Sequence, residues 1–355
     1  MLVACVVGAR PNFMKIKPVI DGLERRRVDV ALVHTGQHYD ADMSGVFFDE
    51  LGLRAPDHHL GVGSGTHAEQ TAAVMVGFEQ VLTGLAPNVV VVVGDVNSTL
   101  AAALVAAKAR TRLAHVEAGL RSRDWSMPEE VNRVVTDRVS DLLLAPSSDA
   151  VDNLRIEGYA EERIHLVGNV MIDTLLANLD RARKRPILSD LGLASGGYGV
   201  VTLHRPSNVD QPEVLAGLVG ALAEVAKECP LLLPVHPRLA SRLDRLGVPA
   251  ELRLTEPLGY LDFVAVEAGA RIVLTDSGGV QEETTVLGVP CLTLRDATER
   301  PITVTEGTNT VVGCDPARIV SEARRVLRLG VARRCPDLWD GQAGERIADV
   351  LMAGE

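Results

Sequence analysis

The chain has 355 residues, 46% of them hydrophobic, and a formal net charge of -11 at pH 7. That length exceeds what one hydrophobic core usually serves and favours two domains, while the acidic balance argues against a nucleic-acid partner, which calls for a basic stripe. No apolar run approaches the roughly 18 residues needed to span a bilayer, so no membrane association is expected.

The opening residues lack a basic leader and run straight into a first strand, so no signal peptide is expected and the expected location is cytoplasmic. Short Val/Leu/Ile runs recur at residues 3–7, 28–33, 89–93, 113–116, 142–145 and 164–167, separated by segments of helical period. Uninterrupted runs of this kind suit strands buried on both faces. After a junction over residues 168–195, whose charged and then Gly/Ser-rich part at 181–195 reads as a connection, the rhythm restarts. It continues at 200–203, 231–235, 252–254, 272–274, 291–294 and 310–312. Strand-helix alternation twice over predicts an α/β protein of two doubly wound, Rossmann-like parallel sheets. The expected domains are residues 1–168 and 169–340. Five cysteines (Cys5, Cys229, Cys291, Cys314, Cys335) stand singly, which argues against a disulfide framework or a structural zinc site. They read as small buried hydrophobes.

In open parallel sheets a ligand lies beyond the carboxyl ends of the strands, so the residues just after each apolar run are the candidates. In the first half these are Arg10 and Lys15, then Asp95 and Glu117. Asp95 is either a cap for the Ala-rich helix that follows or a site residue. Glu117, in His115-Val116-Glu117-Ala118-Gly119, ends a buried run, where a carboxylate is costly unless it is paired or functional. Pro128-Glu129-Glu130 reads as a helix start, with two acids favoured by the helix dipole. In the second half His204, Arg205 and His236 follow strands. His204 is either a satisfied core histidine or, beside Arg205, a phosphate ligand.

Asp276-Ser277-Gly278-Gly279-Val280-Gln281-Glu282-Glu283 follows the run Arg271-Ile272-Val273-Leu274-Thr275. A strand passing through two glycines into an acidic helix start exposes unpaired N–H groups that favour a phosphate, and this predicts a nucleotide-diphosphate cradle. With functional edges in both halves, an interdomain cleft is expected. Gly61-Val62-Gly63-Ser64-Gly65 fails the G-x-G-x-x-G spacing and gives no support for a nicotinamide dinucleotide. Asp40-Ala41-Asp42 is too short a pattern to assign a metal, and Gly36 between His34 and His38 argues against a zinc pair. No metal and no cofactor are assigned.

Together these residues resemble the bacterial non-hydrolysing UDP-N-acetylglucosamine 2-epimerases. The resemblance covers most of the chain: residues 8–15, Gly36-Gln37-His38 with Met43, Gly94-Asp95, residues 115–121, Pro128-Glu129-Glu130-Val131-Asn132-Arg133, His204-Arg205, residues 276–283 and Thr298-Glu299-Arg300-Pro301. It implies a glycosyltransferase-B-like fold of two domains facing across a cleft, with a C-terminal helix at about 341–355 packing back on the first domain, and a homodimer. It further implies that Asp95, Glu117 and Glu129 surround the sugar as acid/base candidates, with His204 and Arg10 near the diphosphate. Lys15, Arg133 and Arg205, which lie in the matching blocks, and His236, which follows a strand, complete the expected substrate-binding set. Ser277, Gly278 and Gly279 would hold phosphate, Glu283 the ribose hydroxyls, and Arg300 would help close the site.

The chain departs from that family in two places. Where many members read H-R-R-E-N it reads His204-Arg205-Pro206-Ser207-Asn208, lacking one positive charge and one carboxylate. Gly63-Ser64-Gly65-Thr66 stands where allosterically activated members carry an Arg-Gln pair, which leaves activation by a second UDP-GlcNAc open. The same differences leave room for a modified sugar such as a 2,3-diacetamido uronic acid. A hydrolysing epimerase, a glycosyltransferase of the same architecture and a non-catalytic sugar-nucleotide sensor are the competing readings.

Overall fold

The computed structural model describes residues 1–37, 50–235 and 237–353. The chain divides into two compact units, Met1–Ala177 with Asp337–Glu355, and Asn178–Pro336. Each is built on its own parallel sheet.

The first sheet contains β1 (Leu2–Val7), β2 (Asp29–His34), β3 (His58–His59), β4 (Val89–Val93), β5 (Arg112–Val116), β6 (Leu142–Ala145) and β7 (Ile164–Leu166), in the order β3-β2-β1-β4-β5-β6-β7. All of its pairings are parallel. The five valines of β4 are all buried, as a central strand covered by helices on both faces requires. β3 is a two-residue edge strand with no apolar run, and the sequence reading missed it. The order reverses between β1 and β4, and that switch point opens the crevice into which a doubly wound sheet directs its ligand.

The second sheet contains β8 (Gly199–Thr202), β9 (Leu231–Pro234), β10 (Leu252–Thr255), β11 (Ile272–Thr275), β12 (Cys291–Thr293) and β13 (Asn309–Val311), in the order β10-β9-β8-β11-β12-β13. It too is parallel throughout, with the switch point between β8 and β11. Its core joins Val201, Leu218, Leu222, Leu233, Ile272 and Leu274.

The boundary differs from the expected one at Gly168. Val170, Met171, Ile172 and Leu175 are buried, and the chain stays with the first unit through Ala177. Asp173 gives a second reason: its carboxylate accepts from Ala343 N at 3.0 Å and Gly344 N at 2.7 Å, capping the final helix, Ala343–Met352. Burial pushes Asp173 up to about 6 despite those two donors. The final helix lies so close to the helix Arg10–Arg25 that a Cβ on Gly344 would strike the Pro18 carbonyl, and one on Gly22 would sit 2.6 Å from Gly344 O. The cysteines also differ in part from expectation. Cys5, Cys229 and Cys291 are buried, Cys314 is half-buried and Cys335 is exposed.

Candidate active site

In the first unit the loops after β1, β4 and β5 meet at the switch point. Asn12 ties two of them together: its Oδ1 accepts from Gly8 N at 3.2 Å and Ala9 N at 3.0 Å, and its Nδ2 donates to Val93 O at 3.1 Å. Arg10 is the first residue of the helix that follows β1. Gly94 turns the chain at φ +68°, and a Cβ there would meet Lys15 Nζ at 3.1 Å and Glu117 Oε2 at 3.4 Å. The turn is therefore closed to any larger residue.

Glu117 follows β5 with φ +72°, a left-handed conformation that costs a non-glycine residue of order 1 kcal/mol or more. Its side chain is 3% exposed and forms an ion pair with Lys15, itself 9% exposed. The two sequence readings of Glu117, paired or functional, are thus compatible: the pair compensates a buried charge at the mouth of the switch point.

Asp95 is not a helix cap. The next helix, Asn97–Lys108, has Val96 at its N-cap. Instead the Asp95 carboxylate lies 3.4 Å from Arg133 Nη1, and its backbone carbonyl accepts from Asn132 Nδ2 at 2.8 Å. Arg133 is 2% exposed and 3.5 Å from Glu130 Oε2, yet among the described residues none of its guanidinium nitrogens makes a well-formed hydrogen bond. It retains donor capacity for a ligand.

Of the two acids at the start of the helix Pro128–Val139, Glu130 is the buried one. It accepts from Ser122 N, Ser122 Oγ and Arg123 N at 2.8–2.9 Å, holding the preceding loop. Glu129 is half-exposed, and among the described residues no hydrogen bond or ion pair joins it to Asp95 or Glu117.

Beneath this layer His115 Nε2 contacts Gly94 O at 2.9 Å and its Nδ1 contacts Asp137 Oδ1 at 2.6 Å, while Arg121 pairs with Asp137 at 2.7 Å. Burial pushes Asp137 up, but His115 and Arg121 outweigh it and hold the carboxyl below its ordinary range. The network fixes the Gly94 carbonyl from below. His34 is a packed core histidine, stacked on Phe13 and His59, and burial pushes it down to about 4. His38, Asp40, Asp42 and Met43 lie outside the described residues, as does His236 in the second unit.

In the second unit Asp276 organises the end of β8. Fully buried, it accepts from His204 N at 3.0 Å, Arg205 N at 2.9 Å and Asn208 Nδ2 at 3.1 Å, and it pairs with His204 Nδ1 at 2.7 Å. Burial raises Asp276, but the His204 hydrogen bond and charge, with the backbone donors, leave it below the ordinary carboxylate range. The His204 side chain, 54% exposed, is oriented through Nδ1. It is not a core histidine.

Thr202 and Thr275 hydroxyls meet at 2.6 Å across β8 and β11, and Ser277 N donates to Thr275 Oγ1 at 2.9 Å. The helix Gly278–Leu287 begins immediately after, with Ser277 at the N-cap and no capping bond from its side chain. The expected acidic helix start is not found: Gly278, Gly279, Val280 and Gln281 form the first turn, and Glu282 and Glu283 fall in the second. This removes a carboxylate from the place where an anion would approach, so the N-terminal donors and dipole remain available.

The Arg300 guanidinium packs against Gly278, where a Cβ would meet Nη1 at 2.5 Å. It pairs with Glu282 at 2.8 Å, and Glu299 gathers Arg300 at 3.2 Å, Arg205 at 3.1 Å and Arg295 at 2.7 Å. Gln281 secures this loop by accepting from Thr298 Oγ1 at 2.6 Å and Asn309 Nδ2 at 3.1 Å. Three guanidiniums, one oriented imidazole and a helix start thus gather on one surface, a donor set whose chemistry suits an anion. Glu283 is buried on the same helix, and burial with the neighbouring Glu282 charge pushes it up to about 8. Sequence reasoning assigned no role to Asp276, Glu299 or Glu267. The first two lie inside blocks singled out by their neighbours, whereas Glu267 had only the signal of a lone acid in an apolar helix.

A family model described as UDP-N-acetylglucosamine 2-epimerase matches residues 21–352. The UDP-N-acetylglucosamine 2-epimerase of Methanocaldococcus jannaschii is 42% identical, with 100% of each chain covered. The UDP-2,3-diacetamido-2,3-dideoxy-D-glucuronate 2-epimerase of Pseudomonas aeruginosa is also 42% identical, with 99% of each covered. The crystal structure of the M. jannaschii enzyme in complex with UDP-GlcNAc and UDP superposes with a TM-score of 0.91 at 41% identity, over 100% of both chains. Similar proteins thus occur outside the bacteria as well as within them, and the chain belongs to the UDP-N-acetylglucosamine 2-epimerase family.

Proposed function

We propose that this protein interconverts the C2 epimers of a UDP-2-acetamido sugar, UDP-GlcNAc and UDP-ManNAc, without net hydrolysis. The observation that carries this reading is the placement of Glu117, strained, buried and paired with Lys15, beside the Gly94-Asp95 turn at the first unit's switch point. Its support from likeness is the relative that binds UDP-GlcNAc and UDP.

The C2 hydrogen is not adjacent to a carbonyl, so its removal needs another electron sink. Breaking the anomeric C1–O bond supplies one: UDP departs with the bonding pair, and oxocarbenium character at C1 acidifies C2–H for a carboxylate. The product is a glycal. UDP oxygen then re-forms the bond to C1 while a proton reaches C2 from the opposite face. Two carboxyl groups in different protonation states are needed, drawn from Asp95, Glu117 and Glu129. Charge developing on UDP is stabilised by His204, Arg205, Arg300, the Ser277 hydroxyl and the N–H groups of Gly278 and Gly279, donors already fixed before reaction. Arg133 serves the sugar, and Glu283 accepts from the ribose hydroxyls. A homodimer and a cytoplasmic location complete the proposal.

A second substrate deserves its own arm of the test, because the P. aeruginosa relative named for a diacetamido uronate sugar is equally identical. Incubation with UDP-GlcNAc, and separately with the UDP-diacetamido uronate, in deuterated water followed by NMR tests both. The proposal expects C2 deuterium in recovered substrate and epimer with UDP still attached. Free N-acetylmannosamine and UDP identify a hydrolysing epimerase, and consumption only with an added acceptor identifies a glycosyltransferase. An unlabelled epimer overturns the elimination mechanism.

A further inference from the structure

Glu267 belongs to the apolar helix Tyr260–Ala268 and is fully buried. Among the described residues no N–H or hydroxyl group donates to either of its carboxyl oxygens. What faces it is the carboxyl of Glu283, from the helix Gly278–Leu287. An ionised carboxylate without a donor in such a place is prohibitively costly, and two adjoining carboxyls away from water do not both ionise. A proton therefore stays between them, and one carboxyl donates to the other.

The remaining titratable groups around the pair are Glu282 on the same helix, the Tyr260 hydroxyl and the Cys291 thiol of β12. None of these is a cation, and the Arg300 guanidinium is engaged by Glu282 and Glu299. Burial accordingly drives Glu267 well above the carboxylate range.

We propose that Glu267 is a positioning residue for nucleotide recognition: a neutral carboxylic acid whose proton holds the Glu283 carboxylate in the orientation that accepts both ribose hydroxyls of a uridine nucleotide. The inference rests on the reading of Glu283 given under the proposed function. A neutral acid suits this role because it supplies a donor without adding a second negative charge near a diphosphate. Two ribose hydroxyls donating to Glu283 favour its ionised form, so nucleotide binding at neutral pH transfers the Glu283 proton to the buffer while the Glu267 proton remains.

The test is calorimetric titration of the full chain and of Glu267→Gln and Glu267→Met with UDP and with 2′,3′-dideoxyuridine diphosphate. Wild type should prefer UDP by roughly tenfold or more, the scale of hydrogen bonds to a charged acceptor. Glu267→Gln, which keeps an N–H donor, should retain that preference. Glu267→Met should reduce it to about threefold or less while leaving dideoxy-UDP affinity within about twofold. Equal preference in Glu267→Met and wild type overturns the role of Glu267 and leaves the Glu283 reading standing. No preference in wild type overturns both. If Glu267→Met does not fold, proton release at pH 7 by wild type, measured in buffers of different ionisation enthalpy, decides instead. Release of at most one proton with UDP and none with dideoxy-UDP supports the proposal; release beyond one proton, which Glu267 would have to supply, overturns the role of Glu267, and equal release with the two nucleotides overturns the Glu283 reading with it.

Discussion

Lys15, on the helix after β1, forms a buried ion pair with Glu117, the left-handed residue after β5. Each strand end supplies one charge, and neither is tolerable alone. Glu117→Gln keeps the size and one acceptor but removes the negative charge. It should abolish most turnover while UDP affinity stays within a few-fold, and it should lower stability by about 1–3 kcal/mol because the Lys15 ammonium loses its counter-ion. Lys15→Met with Glu117→Gln should cost less stability than the two single changes summed. Urea unfolding of the three variants gives the comparison, and near-normal activity in Glu117→Gln would refute its catalytic assignment.

Gly94 separates these charges from Asp95, and two independent constraints act on it. Its φ of +68° penalises any side chain, and a Cβ would press on Lys15 Nζ and Glu117 Oε2. Gly94→Ala should lose about 1–2 kcal/mol and displace the pair, lowering kcat at least about tenfold. Gly192 also has positive φ, at +60°, but nothing lies within 4 Å of a Cβ there. Gly192→Ala should therefore cost only the backbone share, about 1 kcal/mol, and leave kcat unchanged. Equal kcat in Gly94→Ala and wild type would show that the Lys15–Glu117 geometry does not matter to the reaction.

The Asp276–His204 contact predicts a different pattern. Asp276 is depressed below its ordinary 3.8, so the stability it contributes is present above that value and is lost as pH falls through the lower folded-state value. Asp276→Asn should thus be less stable than wild type at pH 7 by about 1–3 kcal/mol, with the gap closing toward pH 3. With the imidazole no longer held through Nδ1, kcat/KM should fall by about 10–100-fold. Thermal unfolding at several pH values and steady-state rates check both. A stability gap independent of pH would mean that the carboxylate charge is not the source.

The strands were legible because each central one is buried on both faces, and a run such as Val89-Val90-Val91-Val92-Val93 has few other fates. The residues after those runs were legible as candidates for the same reason, since doubly wound sheets place their functional edge there. What failed was detail set by partners distant in sequence. The sequence leaves Asp95 as a cap or a site residue, and the partners that exclude the cap, Arg133 and Asn132, lie nearly forty residues away. Glu282 and Glu283 read as first-turn acids only if the two glycines lie outside the helix, whereas the helix begins at Gly278. Glu129 and Glu130 are indistinguishable by helix-start rules, and only the loop hydrogen bonds to Ser122 and Arg123 separate the buried acid from the half-exposed one. Glu267 gave least away, since its burial depends on a sheet and a second helix that no local pattern specifies.

That burial has a consequence for stability as well as for recognition. Glu283 moves from an ordinary 4.5 to about 8 in the folded chain, with burial the larger cause and the Glu282 charge next. For a carboxyl raised in this way, the folded state is favoured fully below about 4.5, and the advantage is lost as pH rises through about 8. Wild type should therefore lose stability between pH 5 and pH 8 even though most carboxylates are ionised throughout. Glu283→Gln removes the titrating carboxyl and with it this pH-dependent loss. Its melting temperature relative to wild type should rise as pH goes from 5 to 8, by about 2–4 °C for each kcal/mol relieved. Two variants distinguish the pair from a general effect of burial. Glu130→Gln, at an acid held by backbone donors, should show no such rise. Glu267→Gln should show none either, because its amide donates to Glu283 as the neutral Glu267 carboxyl does, and the burial and Glu282 charge that raise Glu283 remain. A flat difference in Glu283→Gln would mean that Glu283 is not the group whose proton the folded chain holds, and a rise in Glu267→Gln as large as in Glu283→Gln would mean that Glu267 is the carboxyl that ionises.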